Sequence, residues 1–446
     1  MKTILVIGAG KSSHVLVDYL LEQGFIKDYY LILADARVEL AEKMLQSREN
    51  AEAIQMEVEN QADRRLAIVR ADVVVSMLPA FLHPLVARDC LALGKHFFSA
   101  SYESEEMRAL GNEVAEKGLF FLNECGLDPG IDHMSAMKII DSEKAAGSSI
   151  VLFKSYCGGV LSPESENDNP WKYKFTWNPR NVVLAGQGVS RFIRNGKYKF
   201  VPYHMLFRRT DKVRFDDVGE FDGYANRDSL GYRGVYGLED IPTIIRGTLR
   251  RAGFCKSWDV LVQLGMTDNT FTVELPEDFT MRTFFNAFLP FDPVQKVEEK
   301  LQTLLPWVDD EILCKLEWLG LFSNEPLPLL EGSPAAILQV ILEKKWAMQE
   351  NDHDMVVMQH QFESITVQEV KKHIHSSLVI KGENRTYTAM AKTVGLPLGI
   401  AVDMFLQGEI KLKGLHLPIK KEIYLPILNK LAERGIVFRE EVWYAS

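Results

Sequence analysis

Thr3-Ile4-Leu5-Val6-Ile7-Gly8-Ala9-Gly10-Lys11-Ser12-Ser13 is the stretch on which the fold turns. Its first five residues form an apolar run rich in β-branched side chains. That pattern suits a strand buried on both faces of a parallel sheet. Two glycines follow at once, and then Val15, Leu16, Tyr19 and Leu20 fall on one face of a helix, with Gly24 placed to end it. Strand, glycine turn and helix in that order are the context in which Gly-x-Gly binds a dinucleotide. Gly8 permits the tight turn, and Gly10 lets backbone approach a pyrophosphate. The helix N-terminus at Lys11, Ser12 and Ser13 offers N–H groups and a favourable dipole. Ser13 stands where a third glycine is usual and is small enough to keep helix and strand close. A plain strand–helix turn would use the same glycines. The phosphate-loop pattern Gly-x-x-x-x-Gly-Lys-Ser/Thr is absent.

Outward from this stretch the same alternation continues. Tyr30 to Ala34 reads as a strand, 37–48 as a helix, and Ala71 to Leu78 as a strand around Val73-Val74-Val75, stopped by Pro79. Residues 84–93 read as a helix ending at Gly94, His96 to Phe98 as a strand, 104–117 as a helix ending at Gly118, and Leu119 to Leu122 as a strand. Strands alternating with helices predict a parallel sheet with right-handed crossovers. After Asp128-Pro129-Gly130 the texture changes: a helix at 131–145, a strand at 150–156, a polar stretch at 162–169 and a Trp/Tyr-rich segment at 171–177. Residues 278–320 carry a helical pattern, 355–358 and 376–380 read as strands, and the last sixty residues read as mostly helical. The expected fold is α/β: a Rossmann-type doubly wound parallel sheet, a second α/β substrate domain and a small helical domain. We place the first domain at 1–130, with an α+β region after it and a helical subdomain within 278–320.

Several residues in these elements can carry chemistry. Asp35 ends the second strand, where an acid accepts bonds from the adenosine ribose hydroxyls and repels a 2′-phosphate. This favours NAD, with NADP as the alternative; the competing reading of Asp35 is a helix cap, and Arg37 nearby could bind a phosphate. Ser76-Met77-Leu78 ends a central strand, so the backbone at Ser76 and Leu78 is placed to line the nicotinamide end. His83 reads as a helix-start residue. Ser99-Ala100-Ser101-Tyr102 and Asn123 to Gly130 follow strands and project from the carboxyl edge of the sheet. Tyr102 and Asp128 are candidate proton-transfer groups there, although Asp128-Pro129-Gly130 also reads as a simple turn. Cys157 is a nucleophile candidate or a buried thiol. Arg227 and the arginines of 245–251 form a carboxylate clamp or surface ion pairs. His373 and His375 would share one face of a strand, but no acid or thiol accompanies them, so no metal site is read.

Composition narrows the partners. The 446 residues carry a net charge of −10, which argues against a nucleic-acid or anionic-membrane binder. No apolar run approaches the roughly 18 residues of a membrane span. The five cysteines are odd in number and widely spaced, so a disulfide framework is not expected and a reducing cytoplasm is. Lys11 and His14 interrupt the N-terminal apolar stretch too early for a signal peptide.

The ordered set GAG (8–10), SASY (99–102), NECGLDPGIDHM (123–134), SYCGG (155–159), NDNPWKYKFTW (167–177), NRDS (226–229) and IRGTLR (245–250) resembles the saccharopine reductase family. That family is also called saccharopine dehydrogenase, L-glutamate-forming. The resemblance extends to DMVVMQHQFE (354–363) and to 389–410, so it covers nearly the whole chain. It implies a saccharopine-binding α/β domain at 131–265 with 333–389, a helical domain at 266–332, and a C-terminal segment, about 390–446, that packs back on the earlier domains. It also implies reversible hydride transfer between a nicotinamide cofactor and saccharopine, formed from L-glutamate and 2-aminoadipate 6-semialdehyde in lysine metabolism. It implies that Asp128, Tyr102 and Cys157 are catalytic, that Ser101 touches substrate, that Arg227, Arg246 and Thr248 hold carboxylates, and that a homodimer forms. Asp35 stands where NADP-using relatives would lack an acid. A related reductase of another amino-acid or polyamine imine, of carboxynorspermidine or homospermidine type, is the alternative. An arginine-bearing 226–251 region counts against it.

Overall fold

The computed structural model describes residues 1–166 and 169–445, so Asn167 and Asp168 of the NDNPWKYKFTW motif lie outside the described residues. The chain forms two compact units. One comprises Met1–Ile150 with Glu363–Ser446, the other Val151–Phe362.

In the first unit, β1 (Lys2–Ile7), β2 (Tyr29–Asp35), β3 (Ala51–Gln55), β4 (Val73–Ser76), β5 (His96–Ser99) and β6 (Phe120–Leu122) form a parallel sheet. Their order is β3-β2-β1-β4-β5-β6, and the strand Gly414–His416 extends the sheet beside β6. This is the doubly wound order, with its switch point between β1 and β4. Ile4, Leu5 and Val6 are buried with Val73, Val74 and Val75, which is why these runs are apolar on both faces. The reading missed β3 and the helix after it, and also the strands Gly414–His416 and Arg439–Ala445 in the C-terminal stretch. β3 (AEAIQ) is a half-buried strand at the sheet edge, and the helix Gln61–Val69 that follows is capped by the Asn60 side chain.

Boundaries differ where backbone geometry overrides residue type. The first helix runs His14–Lys27 and ends on Asp28 in the left-handed region at φ +58°, so Gly24 lies inside it. A Cβ at Gly24 would come within 3.1 Å of the Tyr29 carbonyl oxygen; the glycine serves close packing. The 37–48 helix shortens to Val38–Leu45, and 104–117 splits into Glu105–Ala109 and Gly111–Glu116. The helix at 131–145 is Ile131–Ala145.

The helix Ala389–Leu406 is long and apolar enough to cross a membrane, contrary to the run-length reading, yet 78% of it is buried inside the protein. It packs on the first helix, where a Cβ at Gly395 would come within 2.8 Å of Leu16 N. Its buried Asp403 accepts from Lys27 Nζ and from the hydroxyls of Tyr19 and Tyr29. Burial, with the Asp403 charge alongside, pushes the Tyr29 hydroxyl up to about 12. Also in this unit, Lys371–Lys381 pairs antiparallel with Arg439–Ala445. His373 stacks on Trp443 at 5.2 Å and His375 meets the same ring edge-on at 4.7 Å.

The second unit holds β7 (Ser149–Leu161, from Val151 onward), β8 (Val189–Arg194), β9 (Lys197–Pro202), β10 (Thr210–Phe215), β11 (Gly219–Ala225) and β12 (Ile244–Arg251). The order is β10-β11-β12-β7, followed by the strand Asp354–Ile365. β12 runs parallel to β7 and antiparallel to β11, so the sheet is mixed. Trp171, Trp258, Trp346 and Phe254 form a buried aromatic cluster. Short helices, Met281–Asn286, Val297–Leu304 and Asp310–Trp318, occupy most of the region read as helical.

Candidate active site

The glycine loop has the geometry of a pyrophosphate cradle. Gly8 sits at φ +110°, and a Cβ there would lie 3.1 Å from the Met77 carbonyl oxygen, so β1 and β4 can approach only with glycine. A Cβ at Gly10 would meet no atom within 4 Å, so backbone is open to a ligand there. Ser13 is buried, and its hydroxyl donates to Gly8 O at 2.8 Å, which ties the helix start to the loop. The Ser13 side chain does not cap the first helix, whose leading N–H groups follow Lys11 and Ser12. These features fit a dinucleotide.

Asp35 is turned toward the protein. Its Oδ2 accepts from Ala9 N–H at 2.7 Å and its Oδ1 from Arg37 N–H at 2.9 Å. The carboxylate braces the glycine loop against β2, and the Arg37 side chain stands exposed beside it.

Ser76 ends β4, and Ser101, Tyr102 and Asp128 lie past the carboxyl ends of β5 and β6, at the edge that also carries the glycine loop. The Tyr102 hydroxyl donates to Asp128 Oδ1 at 2.9 Å. Asp128 is held in a tight loop: Gly126 N–H donates to Pro129 O, Ile131 N–H donates to Gly126 O, and the Asp128–Pro129 bond is cis. A Cβ at Gly130, φ +146°, would collide with Gly126. Cys125 is a buried thiol that donates to Pro397 O, and burial raises its pKa.

His83 does begin the helix His83–Leu93, and it does more. Its Nδ1 lies 2.8 Å from Ser76 Oγ and its Nε2 2.7 Å from Ser101 Oγ. It is 3% exposed, and burial pushes the imidazole down to about 4. A neutral imidazole has one donor and one acceptor nitrogen, so one serine gives a proton to the bridge and the other receives one. No local signal could have shown this, because both partners come from other segments of the sheet edge.

The other predicted residues lie in the second unit. Register pairs Cys157 with Thr248 and Ser155 with Arg246, so these side chains share one face of the sheet. Cys157 is 6% exposed and Arg246 5%. The Arg246 guanidinium stacks over the Tyr232 ring at 4.1 Å. Arg227 sits in a loop tied to this face: Asn226 N–H donates to Arg246 O, and Arg191 N–H donates to Arg227 O. Its φ of +44° is left-handed, a conformation a non-glycine residue keeps only when the surroundings impose it. Arg250 lies on the same strand face as Arg246 and Thr248. It is buried under Tyr173 and Phe254, and among the described residues no carboxylate pairs with it. The alternation 246, 248, 250 was the signal that could have singled it out. Arg251, on the opposite face, is ion-paired to Glu166 at 2.7 Å.

A family model described as "Saccharopine dehydrogenase C-terminal domain" matches residues 126–436, and one described as "Saccharopine dehydrogenase NADP binding domain" matches 4–122. The chain belongs to the saccharopine dehydrogenase family. It is 32% identical over 452 residues to "Saccharopine dehydrogenase [NADP(+), L-glutamate-forming]" of Schizosaccharomyces pombe, covering 99% of both chains. It is 33% identical to mitochondrial alpha-aminoadipic semialdehyde synthase of Mus musculus, covering 99% of this chain and 48% of that one. The chain thus spans about half the length of the mammalian relatives it matches. The structure of apo saccharopine dehydrogenase (L-Glu forming) from Saccharomyces cerevisiae superposes with a TM-score of 0.89 at 30% identity, covering 99% of this chain and 100% of that one. A homospermidine synthase from Legionella pneumophila shares the fold alone, at a TM-score of 0.57 and 10% identity.

These findings correct the cofactor expectation. The matched first domain is an NADP binding domain, and the fungal relatives are NADP(+) enzymes, so the preference for NAD drawn from Asp35 is wrong. The structure supplies the reason. That inference assigned the Asp35 carboxylate to the ribose, whereas each of its oxygens accepts a backbone N–H, from Ala9 and Arg37, so the group serves to brace the loop beside an exposed Arg37.

Proposed function

We propose that this protein interconverts saccharopine with L-glutamate and 2-aminoadipate 6-semialdehyde, with NADP as cofactor. The observation that carries the reading is the match to fungal L-glutamate-forming enzymes over 99% of both chains. Bound NADP would supply the hydride acceptor or donor for the carbon beside the bridging nitrogen. Gly8, Gly10, Lys11, Ser12 and Ser13 would hold the pyrophosphate, Ser76 and Leu78 would line the nicotinamide end, and Arg37 would face the 2′-phosphate.

The chain's own groups manage protons and charge. In the oxidative direction the secondary ammonium must lose a proton before hydride can leave the neighbouring carbon. Asp128 receives it, with the Tyr102 hydroxyl holding the carboxylate in place. Water then adds to the resulting imine, and the same pair moves the proton that lets the carbinolamine expel glutamate. Saccharopine carries three carboxylates. Arg227, Arg246 and Thr248 would bind them, with Ser101 at the substrate and Cys157 beside Thr248 as a further polar contact. The buried cations Arg246 and Arg250 repel a polyamine, which favours the tricarboxylate over a homospermidine-type substrate. We read the assembly as a homodimer; sedimentation velocity at micromolar concentration tests this, and a monomer overturns it.

The deciding assay follows reduced-nicotinamide absorbance with saccharopine and NADP. Turnover with saccharopine and none with polyamines supports the reading. Cofactor binding without saccharopine turnover overturns it.

A further inference from the structure

Tyr102 is bracketed by a single residue. The backbone N–H of Glu124 donates to Ser101 O at 3.0 Å, and Glu124 Oε1 accepts from Glu103 N–H at 2.8 Å. The other oxygen, Oε2, meets His133 Nε2 at 2.7 Å. Glu124 is 2% exposed and His133 is fully buried. Glu124 also adopts φ +57°, left-handed backbone that a non-glycine residue keeps only where the surroundings impose it. It therefore joins the two loops whose tips make the Tyr102–Asp128 contact, since it lies in the same loop as Asp128.

We propose that Glu124 is a positioning residue: backed by His133, it sets the Tyr102 hydroxyl against Asp128. The proposal rests on the reading that Tyr102 and Asp128 move the substrate protons. A buried carboxylate accepting from a backbone N–H makes a short, strong bond. With its second oxygen fixed by His133, the side chain has no rotamer slack. Proton-transfer pairs need this, because misplacement by about 1 Å costs roughly 100-fold in rate.

A double-mutant cycle on the full chain, assayed with saccharopine and NADP, tests the proposal. We expect Glu124→Ala to lower kcat by roughly 30- to 100-fold with KM for NADP within about 2-fold. Glu124→Gln keeps an amide oxygen for Glu103 N–H and should recover most of the loss. In a Tyr102→Phe background the Glu124→Ala change should cost no more than about 3-fold further, because its effect runs through a hydroxyl already removed. The same factor in both backgrounds is the signature of a general structural defect and would overturn the proposal while leaving the role of Tyr102 standing. A Tyr102→Phe chain as active as the wild type overturns both. Should Glu124→Ala fail to fold, the cycle runs on Glu124→Gln; a loss of about 3- to 10-fold that vanishes with Tyr102→Phe supports the proposal, and an equal loss in both backgrounds overturns it.

Discussion

Acid should destabilise the first unit through His83 in a way that can be worked out in advance. Burial lowers its pKa from 6.5 to about 4. The unfolded chain therefore binds a proton at His83 that the folded chain refuses between those two values. Stability rises with pH wherever the unfolded state holds more protons. The His83 contribution is accordingly complete above pH 6.5, is lost as pH falls toward 4, and changes no further below that. The shift amounts to roughly 3 kcal/mol at about 1.4 kcal/mol per pKa unit. His14, His96 and His416 are also lowered by burial, so wild-type data alone would blend four histidines. His83→Gln isolates the one of interest, since an amide can both donate and accept between Ser76 and Ser101 but does not titrate. Urea unfolding at half-unit steps from pH 7.5 to 3.5, read by circular dichroism, gives both curves. The wild-type stability minus that of His83→Gln should drop by about 3 kcal/mol between pH 7 and pH 4. A difference flat with pH, or one that grows in acid, refutes the argument that His83 is held neutral by the fold.

Further outcomes follow from the geometry. Asp128→Asn should lower kcat by roughly 10²- to 10⁴-fold with little change in KM for NADP; steady-state kinetics in both substrates checks it, and an intact kcat removes Asp128 from proton transfer. Arg37→Ala should raise KM for NADP by about 10-fold or more without lowering the thermal midpoint, because Arg37 is exposed and its side chain would pair only with the 2′-phosphate. Arg246→Lys should raise KM for saccharopine by about 10- to 100-fold, since a lysine neither stacks on Tyr232 nor grips a carboxylate bidentately. Gly8→Ala should weaken cofactor binding and cost about 1–3 kcal/mol in unfolding experiments, for its φ is +110° and its Cβ would press on Met77 O.

Much of the first unit was legible because its signals are local. Ile4 to Ile7 and Val73 to Val75 are apolar on both faces, and glycines stand at the turns. β3 was missed because this half-buried edge strand, AEAIQ, carries no continuous apolar run. The helix boundary at Gly24 was misread because glycine has two uses, left-handed caps and close approach, and residue type does not distinguish them. Asp35 failed for a related reason. Its position at the end of the second strand was read correctly, but the direction of its carboxylate depends on the Ala9 and Arg37 N–H groups, which no spacing rule contains.

Residue order alone established the doubly wound sheet, the glycine cradle, and the presence of Tyr102, Asp128, Cys157 and the arginines of 226–251 in an arrangement typical of one enzyme family. Periodicity and turn chemistry are properties of neighbours in the chain, and so they can be read there. The Ser76–His83–Ser101 bridge, the Tyr102–Asp128 contact, the Glu124–His133 support and the inward Asp35 came only from folding. Each depends on which strand ends meet at the carboxyl edge of the sheet and on how little water remains there. Distance and burial set hydrogen-bond partners and proton affinities, and both exist only once the strands have paired.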